Sequence, residues 1–434
     1  MKYLPFILFL AIVSSMKAQN VTKDIKEKDV ERVIKTLAAD DMLGRSAKRP
    51  DQIEKAAAFI ESEFKDIHLQ PLKGLTSFRQ EFQKDFISLK QLEVTLDGQK
   101  IGNENVVLIS EKADININNN SAVKSILFDA SIDSKEKYFF EQAMPIYQDT
   151  LSAIVFVAPE FQSAFQEFKG YFGERFASKR KSTKIFVLAP PALTYAVRAT
   201  QQIVSYKMTN ITGMLEGKTK PDEMVIFSGH YDHLGIQDVA IDGDSIANGA
   251  DDDASGTTAV IELARYFKKA KNNNRTLVFV AFTAEEIGGY GSKYFSEQLN
   301  PDKVITMFNI EMIGKASKWG QNSAFMTGIE RSDLGTIIEK NLKGTPFKIY
   351  PDLYPEQDLF YRSDNATLAR LGVPAHSFST DQIDSDKLYH TVNDETESLD
   401  VKNITATIRA IALAAESIIS GKDTPTRIDK STVR

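Results

Sequence analysis

The feature that most constrains the fold is an alternation of apolar runs with amphipathic helical segments after about residue 206. The apolar runs that we interpret as strands lie at 223–229, 276–283, 304–310 and 372–378. Segments 255–270 and 401–419 carry apolar residues at helical spacing. Buried strands that alternate with helices are typical of a parallel sheet covered on both faces. The sequence therefore predicts an α/β fold with a mixed, mostly parallel central sheet and helices on both faces.

The remaining segments predict a β-rich lobe inserted into this α/β domain. Amphipathic helices are expected at 24–38 and 52–66, and short alternating stretches within 76–109 suggest strands. From about 90 to 205, short β-like runs are separated by polar, Asn-rich loops. We therefore expect three parts, listed here as a main domain of residues 24–89 and 206–420, an inserted lobe at 90–205, and a mobile polar tail at 421–434.

The first residues resemble an export signal more than a structural element. Lys2 is followed by an apolar run from Tyr3 to Val13 and then by small residues, with a plausible cleavage point after Ala18. The run is short for a membrane span, which takes about 20 apolar residues. We expect a signal peptide at residues 1–18 and an exported protein, periplasmic or secreted, with no stable membrane span after cleavage. An uncleaved N-terminal anchor is the alternative.

Composition narrows the chemistry that the chain can perform. The 434 residues include no cysteine, which excludes disulfides, thiolate ligands and cysteine nucleophiles. Any metal must therefore be held by histidines and carboxylates. The formal net charge of -6 argues against a general nucleic-acid-binding protein, because such a protein needs a basic face for phosphates. The oligomeric state is left open.

Histidines and acids follow the predicted strands at the points where the strands end. His230 comes directly after the strand at 223–229, and Asp232 can accept a proton-bearing nitrogen and orient the imidazole. Glu285 and Glu286 follow the strand at 276–283. Because adjacent acids there cannot share one environment, one can bind a metal while the other transfers protons. Each pattern alone also fits a structural or surface pair.

Three further positions add carboxylates and a second histidine. Asp251, Asp252 and Asp253 precede the helix at 255–270, and a divalent cation explains three adjacent acids better than helix capping, which needs only one. Glu311 interrupts an apolar stretch, and a buried lone carboxylate costs roughly several kcal/mol unless it is paired or metal-bound. His390 lies in a polar loop, where a solvated histidine is the alternative. Together these positions predict a metal site at one edge of the sheet.

In their order and spacing, these motifs resemble a known family of enzymes. SGHYDHLGI, GADDDASG, FTAEEIGGYGS, NIEMIG and LYHT are similar to motifs of the M28 family of di-zinc aminopeptidases. The resemblance covers residues 30–70 and 205–415, and the inserted lobe lies where some relatives carry a protease-associated insert. It implies a zinc-dependent exopeptidase that hydrolyses N-terminal residues from peptides through a metal-bridged hydroxide.

The resemblance also implies a role for each site residue. The implied metal ligands are Asp252, bridging two zinc ions, with His230 and Glu311 on one ion and Glu286 and His390 on the other. Glu285 would be the general base and acid, and Asp232 would orient His230. Two zinc ions and three carboxylates leave one positive charge, which a bridging hydroxide neutralises. Glu311 departs from the Asp common in the family, and Asn365 stands where close relatives are expected to have His.

Three other functions remain to be weighed against this one. A glutaminyl-cyclase-like transferase resembles the family but uses a single zinc, so the full set of five ligands counts against it. A carboxypeptidase or dipeptidase of the same superfamily remains open, because the residue that recognises the substrate terminus is not identified. An inactive binding protein would have lost ligands or the base, and this sequence retains all of them.

Overall fold

The structure is a computed structural model that describes residues 21–128, 136–173, 175–178 and 180–434. The chain forms two compact units: the larger one contains the residues up to Phe82 and Met208–Arg434, and the smaller one is Gln83–Lys207. The signal peptide predicted at residues 1–18 lies outside the described residues.

The secondary structure is numbered in chain order over the described residues. The strands are β1 (Arg79–Leu96), β2 (Gln99–Ile101), β3 (Val106–Ile109), β4 (Asp114–Asn118), β5 (Lys124–Phe128), β6 (Ala153–Val157), β7 (Arg175–Phe176), β8 (Lys184–Leu188), β9 (Tyr195–Leu215), β10 (Lys220–His230), β11 (Gly235–Ile241), β12 (Asp244–Ala247), β13 (Arg275–Phe282), β14 (Val304–Ile310), β15 (Ser323–Met326), β16 (Lys348–Pro351) and β17 (Ala375–Ser379). The helices are α1 (Glu27–Leu37), α2 (Pro50–Asp66), α3 (Glu136–Gln148), α4 (Gln162–Phe172), α5 (Gly256–Ala270), α6 (Tyr290–Glu297), α7 (Leu334–Leu342), α8 (Asn365–Ala369), α9 (Val401–Ala414) and α10 (Glu416–Ile419).

The sheet of the larger unit runs in the order β16–β15–β17–β14–β10–β13–β9. Its central strands are parallel, because β10 pairs in parallel with both β13 and β14, and β14 pairs in parallel with β17. Antiparallel pairs flank this centre, between β13 and β9 and between β15 and β17. The predicted mixed, mostly parallel sheet is therefore confirmed.

Both faces of this sheet are covered by helices. Alternate side chains of a strand point to opposite faces, and in β10 the side chains of Val225 and Phe227 join one core while Ile226 joins another. The first core includes side chains of α1, α2, α5 and α9. The second includes Phe295 of α6 and Leu368 of α8. This two-sided burial explains why the central strands read as continuous apolar runs.

The smaller unit contains a four-stranded sheet in the order β3–β8–β6–β5. Its core is rich in aromatic side chains, and it includes Phe139 of α3 and Phe168 of α4 packed as a ring pair with centroids 5.5 Å apart. These two helices add to the β-rich character that the sequence predicts. In α4 the residues Phe165, Phe168 and Phe172 have helical spacing, but the helix is only 11 residues long and lies among β-like runs.

The polar tail at 421–434 is held against the larger unit, although its composition predicts mobility. Ile428 is 3% exposed and belongs to the same core as Leu368. Arg427 Nη1 donates to the backbone oxygen of Val304 at 2.7 Å. Two isolated apolar side chains, Ile428 and Val433, in a polar segment are a weak signal, which is why the sequence does not reveal this anchor. Within the described residues, no helix is long and apolar enough to cross a membrane.

Candidate metal centre

The predicted site residues meet at the carboxyl ends of the central strands. His230 ends β10, the pair Glu285 and Glu286 follows β13, and Glu311 follows β14. Because these three strands are adjacent and parallel, their ends lie at the same edge of the sheet. Two loops complete the group: Asp252 lies just before α5, and His390 lies between β17 and α9.

Asp252 is at the centre of this group and faces two pairs of side chains. Its Oδ1 lies 3.1 Å from His230 Nε2, and its Oδ2 lies 3.3 Å from His390 Nε2. His230 Nε2 also lies 3.2 Å from Glu311 Oε1, while His390 Nε2 lies 3.1 Å from Glu286 Oε2. The structure therefore brings all five predicted ligands together, as two groups of three that share Asp252.

These distances fit the donor atoms of zinc. Ligands bonded to a tetrahedral zinc ion at about 2.0–2.1 Å lie about 3.3 Å from one another. The N···O distances of 3.1–3.3 Å around Asp252 match the edges of two such tetrahedra. Neutral imidazole and carboxylate oxygen are also the donors that zinc accepts when thiolates are lacking. These residues therefore fit zinc as the bound metal.

The charged groups around Asp252 strongly favour the binding of a cation. Burial opposes charge on both histidines, but the neighbouring acids Glu311 and Asp252 raise the pKa of His230 well above its ordinary value. Burial likewise acts against charge on His390, while hydrogen bonds with Asp252 and Glu286 raise its pKa to about 10. Burial acts to raise the pKa of Asp252, yet the two histidines hold it well below its usual range. Protons on these imidazoles and metal ions therefore compete for the same acids.

Of the three adjacent aspartates, Asp253 is committed to the backbone. Its Oδ2 accepts a hydrogen bond from the His230 amide at 3.1 Å. Its Oδ1 accepts from the amides of Gly256 at 3.0 Å and Met312 at 3.1 Å. Asp253 therefore caps the start of α5 and joins the ends of two strands, as helix capping by one of the three acids predicts.

Asp251 turns away from Asp252 and enters a second group of acids, which we call the lysine cluster (Asp251, Lys315, Asp381 and Asp386). Carboxylate oxygens of its three aspartates lie within 4.8 Å of one another. Lys315 Nζ lies 2.5 Å from Asp386 Oδ2 and 3.3 Å from Asp251 Oδ2. Burial acts to lower the pKa of Lys315, but Asp251 and Asp386 raise it. The lysine therefore stays charged and occupies the position that a metal cation would otherwise take.

Asp232 connects the first histidine to the proposed base through both its backbone and its carboxylate. His230 Nδ1 donates to the backbone oxygen of Asp232 at 3.0 Å, whereas the Asp232 carboxylate is 3.8 Å away. That carboxylate instead accepts the amide of Glu285 at 3.1 Å. Burial raises the pKa of Glu285 well above its usual value. Asp232 thus positions both His230 and Glu285, with the backbone oxygen orienting the imidazole.

Two further residues support the ligands, and only His233 could be assigned this role from the sequence. The Asp394 carboxylate accepts the amides of Asp251 and Asp252 at 3.0–3.1 Å and so holds the loop in place. His233 Nδ1 lies 2.7 Å from Glu286 Oε1 and orients that carboxylate. His233 follows His230 by three residues, but the one-letter pattern does not distinguish a ligand from its support.

Arg45 supports the site from the N-terminal segment. Its side chain is 0% exposed and donates to the backbone oxygens of four residues, namely Leu37, Tyr231, Asn248 and Gly249, at 2.5–2.9 Å. Three of these acceptors flank His230 and the aspartate loop. Arg45 therefore fixes the backbone on either side of two predicted ligands.

The two departures from the family pattern have different surroundings. Glu311 Oε2 accepts from Ser363 Oγ at 2.6 Å, and Ser363 Oγ accepts from Asn309 Nδ2 at 2.7 Å. This chain of hydrogen bonds orients the longer glutamate arm. Asn365 is buried and bonds to the backbone oxygen of Phe360 at 3.0 Å and to Ser377 Oγ at 2.9 Å, which is a structural arrangement.

Two cavities meet at Glu285 and differ in their charged residues. The ligand cavity is lined by the metal-site residues and by polar and apolar walls, which include Met312, Phe325, Leu359, Arg362, Ser379, Asp381, Ile383 and Tyr389. The adjoining groove, of about 570 Å³, shares Glu285, Arg362 and Ser363 with it and adds Lys293, Glu297 and Arg370. The ligand cavity is thus acidic, whereas the charged side chains that the groove adds are mainly basic.

The parallel sheet, with its histidines and carboxylates at the strand ends, defines an α/β metalloprotein of the hydrolase type. Comparison with known proteins identifies its family. Residues 210–415 match the model of peptidase family M28. This part of the chain belongs to peptidase family M28, which confirms the resemblance seen in its motifs.

Known relatives agree with this assignment. A probable zinc metalloprotease of Leptosphaeria maculans is 34% identical over 145 residues, which is 32% of this chain and 33% of the relative. The chain thus spans about a third of the length of that curated relative. A zinc aminopeptidase from Bacillus subtilis has a TM-score of 0.56 at 14% identity, covering 92% of this chain and 97% of the other. An aminopeptidase from Aneurinibacillus sp. strain AM-1 has a TM-score of 0.53 at 18% identity, covering 96% and 98%. These structural likenesses concern the fold.

Proposed function

We propose that this protein is an exported aminopeptidase that uses two zinc ions to remove N-terminal residues from peptides. The observation that carries the proposal is the convergence of two His–carboxylate pairs on the two oxygens of Asp252. Family membership and the names of its relatives support zinc and peptide substrates. Export is supported by the apolar leader at residues 1–18.

The residues divide the chemistry among them. When bound, the zinc ions would polarise the scissile carbonyl and lower the pKa of bound water to about 7. Glu285 lines the cavity beside the ligands and would take a proton from the attacking water, then deliver it to the leaving amine. Asp232, through its hydrogen bond to the Glu285 amide, would keep this base in position.

The charges of the two cavities favour an amino end over a carboxyl end at the ligand cavity. With the zinc ligands set aside, the acids that line this cavity are Glu285 and Asp381, and Arg362 is its one lysine or arginine within the described chain. The adjoining groove adds Lys293 and Arg370 against Glu297. A peptide would therefore place its ammonium in the ligand cavity and run its remainder, ending in a carboxylate, along the groove.

The test is digestion of one peptide in three forms: both ends free, N-acetylated, and C-amidated. We expect the free and C-amidated forms to be shortened from the amino end, and the N-acetylated form to resist, as followed by mass spectrometry. Glu285→Gln serves as the control, because it should keep its zinc but lose activity by about 100-fold or more. Cleavage of the N-acetylated form, or a requirement for a free carboxylate, would instead indicate a carboxypeptidase or dipeptidase.

A further inference from the structure

One acid in the ligand cavity has no partner among the residues that hold the zinc site. Asp381 follows β17 and lines the ligand cavity, yet it is only 3% exposed. No N–H group in the described ranges donates a hydrogen bond to either of its carboxyl oxygens, and its hydrogen-bond partner is another acid, Asp386. Burying a carboxylate that receives no N–H hydrogen bond costs free energy of folding, so its presence needs an explanation.

The other members of the lysine cluster are satisfied. Asp251 accepts the amide of Gly314 at 2.6 Å, and Asp386 accepts the amide of Leu388 at 2.9 Å. Lys315 contacts both of these aspartates, and no ion pair links it to Asp381 in the described part of the chain. Three carboxylates therefore share one lysine, and the unmatched carboxylate is the one that reaches the cavity.

The walls beside Asp381 suit a long side chain with a charged end. Met312, Phe325, Leu359 and Ile383 line the same cavity and offer apolar surface to a chain of methylene groups. Lysine and arginine bury such stems against apolar surface while their charged heads bind a polar group. Burial and the charges of Asp251 and Asp386 raise the pKa of Asp381 to about 8, and a bound cation would stabilise its ionised form.

We propose that Asp381 selects peptides whose N-terminal residue is lysine or arginine, by pairing with the side-chain cation. This inference rests on the proposed aminopeptidase function. The substrate's α-amine is attached to the carbon next to the scissile carbonyl, so it must stay close to the zinc ligands and Glu285. The unmatched carboxylate of the lysine cluster is then available to the side chain of the first residue.

The experiment compares two peptides that differ only in an N-terminal arginine or citrulline, which have similar shape but differ in charge. The wild-type protein should cleave the arginine peptide with a kcat/KM roughly 30-fold or more above that of the citrulline peptide. Asp381→Asn should remove most of this preference by slowing arginine release far more than citrulline release. Asp381→Glu, which restores the charge, should recover part of the preference.

The outcomes separate this inference from the proposed function. If neither peptide, nor one beginning with leucine, is cleaved at the amino end, the proposed function fails. If both are cleaved by the wild-type protein at equal rates, only the selectivity fails, and this result needs no variant to fold. If Asp381→Asn slows both peptides equally while its melting temperature is unchanged, Asp381 shapes the cavity and does not select the cation.

Discussion

Two clusters of three carboxylates include neighbouring aspartates of one loop, and they differ in the cations that balance them. The metal centre contains Asp252, Glu286 and Glu311 with two histidines, whereas the lysine cluster contains Asp251, Asp381 and Asp386 with Lys315. Asp251 and Asp252 are neighbours in the chain but belong to different clusters.

The comparison shows that a group of acids does not by itself define a metal site. An imidazole can release its proton near neutral pH and then serve as a ligand, so a proton on it can be exchanged for a divalent ion. A lysine keeps its proton at neutral pH, and the neighbouring Asp251 and Asp386 raise the pKa of Lys315 further. Three carboxylates are therefore suited to a metal ion where histidines accompany them, and to a permanent ammonium where a lysine does.

The two clusters should differ most when Asp252 and Asp251 are each replaced by asparagine. Asp252→Asn removes the charge shared by both zinc positions, so we expect zinc affinity to fall by more than about 100-fold and activity by about 1,000-fold. Asp251→Asn should keep its zinc, because Asp251 faces Lys315. Zinc per chain and kcat/KM measure both variants. Equal zinc loss in the two would mean that the clusters are not distinct.

Removing the lysine should affect stability and leave zinc binding intact. Lys315→Met leaves buried acids without their cation, which we expect to cost about 2 kcal/mol in the free energy of unfolding, measured by urea denaturation. Millimolar calcium should recover part of this loss in the variant and have little effect on the wild-type protein, since calcium prefers oxygen ligands. A variant as stable as wild type would show that the lysine does not balance this cluster.

The smallest expected effect is the change in zinc affinity of the metal-free protein for each unit of pH. The pKa of His390 is raised to about 10 and that of His230 also lies well above its ordinary value, so both hold protons at neutral pH. Zinc must displace these protons, and affinity should rise as pH increases, by about tenfold per pH unit for each proton released. Calorimetry in buffers of different ionisation enthalpy counts the protons. A zinc affinity that does not change with pH would contradict the exchange of histidine protons for zinc.

Much of this arrangement could be predicted from the sequence, because two signals mark each strand end. The apolar run stops there, and a histidine or an acid follows. The apolar runs predicted at 223–229 and 304–310 correspond to β10 and β14, and the chemistry-bearing residues follow each run. The convergence of His230, Glu286 and Glu311 follows from the parallel order of their strands, which the alternation of apolar runs and helices predicts. Asp252 and His390 lie in loops, and their positions depend on the fold. The catalytic roles of Glu285 and Asp232 remain predictions.

The missing parts depend on contacts between residues distant in the chain. Asp381 and Asp394 look like ordinary acids in a polar loop, and only the fold shows that one is buried against a cavity and the other holds a loop. His376 illustrates the reverse case. It is buried as fully as His230, but its Nδ1 donates to the backbone oxygen of Thr327, and burial lowers its pKa to about 4. The partners of a histidine, which the sequence does not display, decide its chemistry.

The buried guanidinium of Arg45 imposes an order on how the chain can mature. Its acceptor at Asn248 lies 203 residues further along. At about 5–20 residues per second, a ribosome needs roughly 10–40 s to synthesise that stretch. For most of this interval the arginine lacks three of its four acceptors, so the N-terminal segment cannot reach its final packing. The earliest described part of the chain must therefore wait for much later residues, and a truncated chain that ends before the aspartate loop has neither a settled N-terminus nor a complete ligand set.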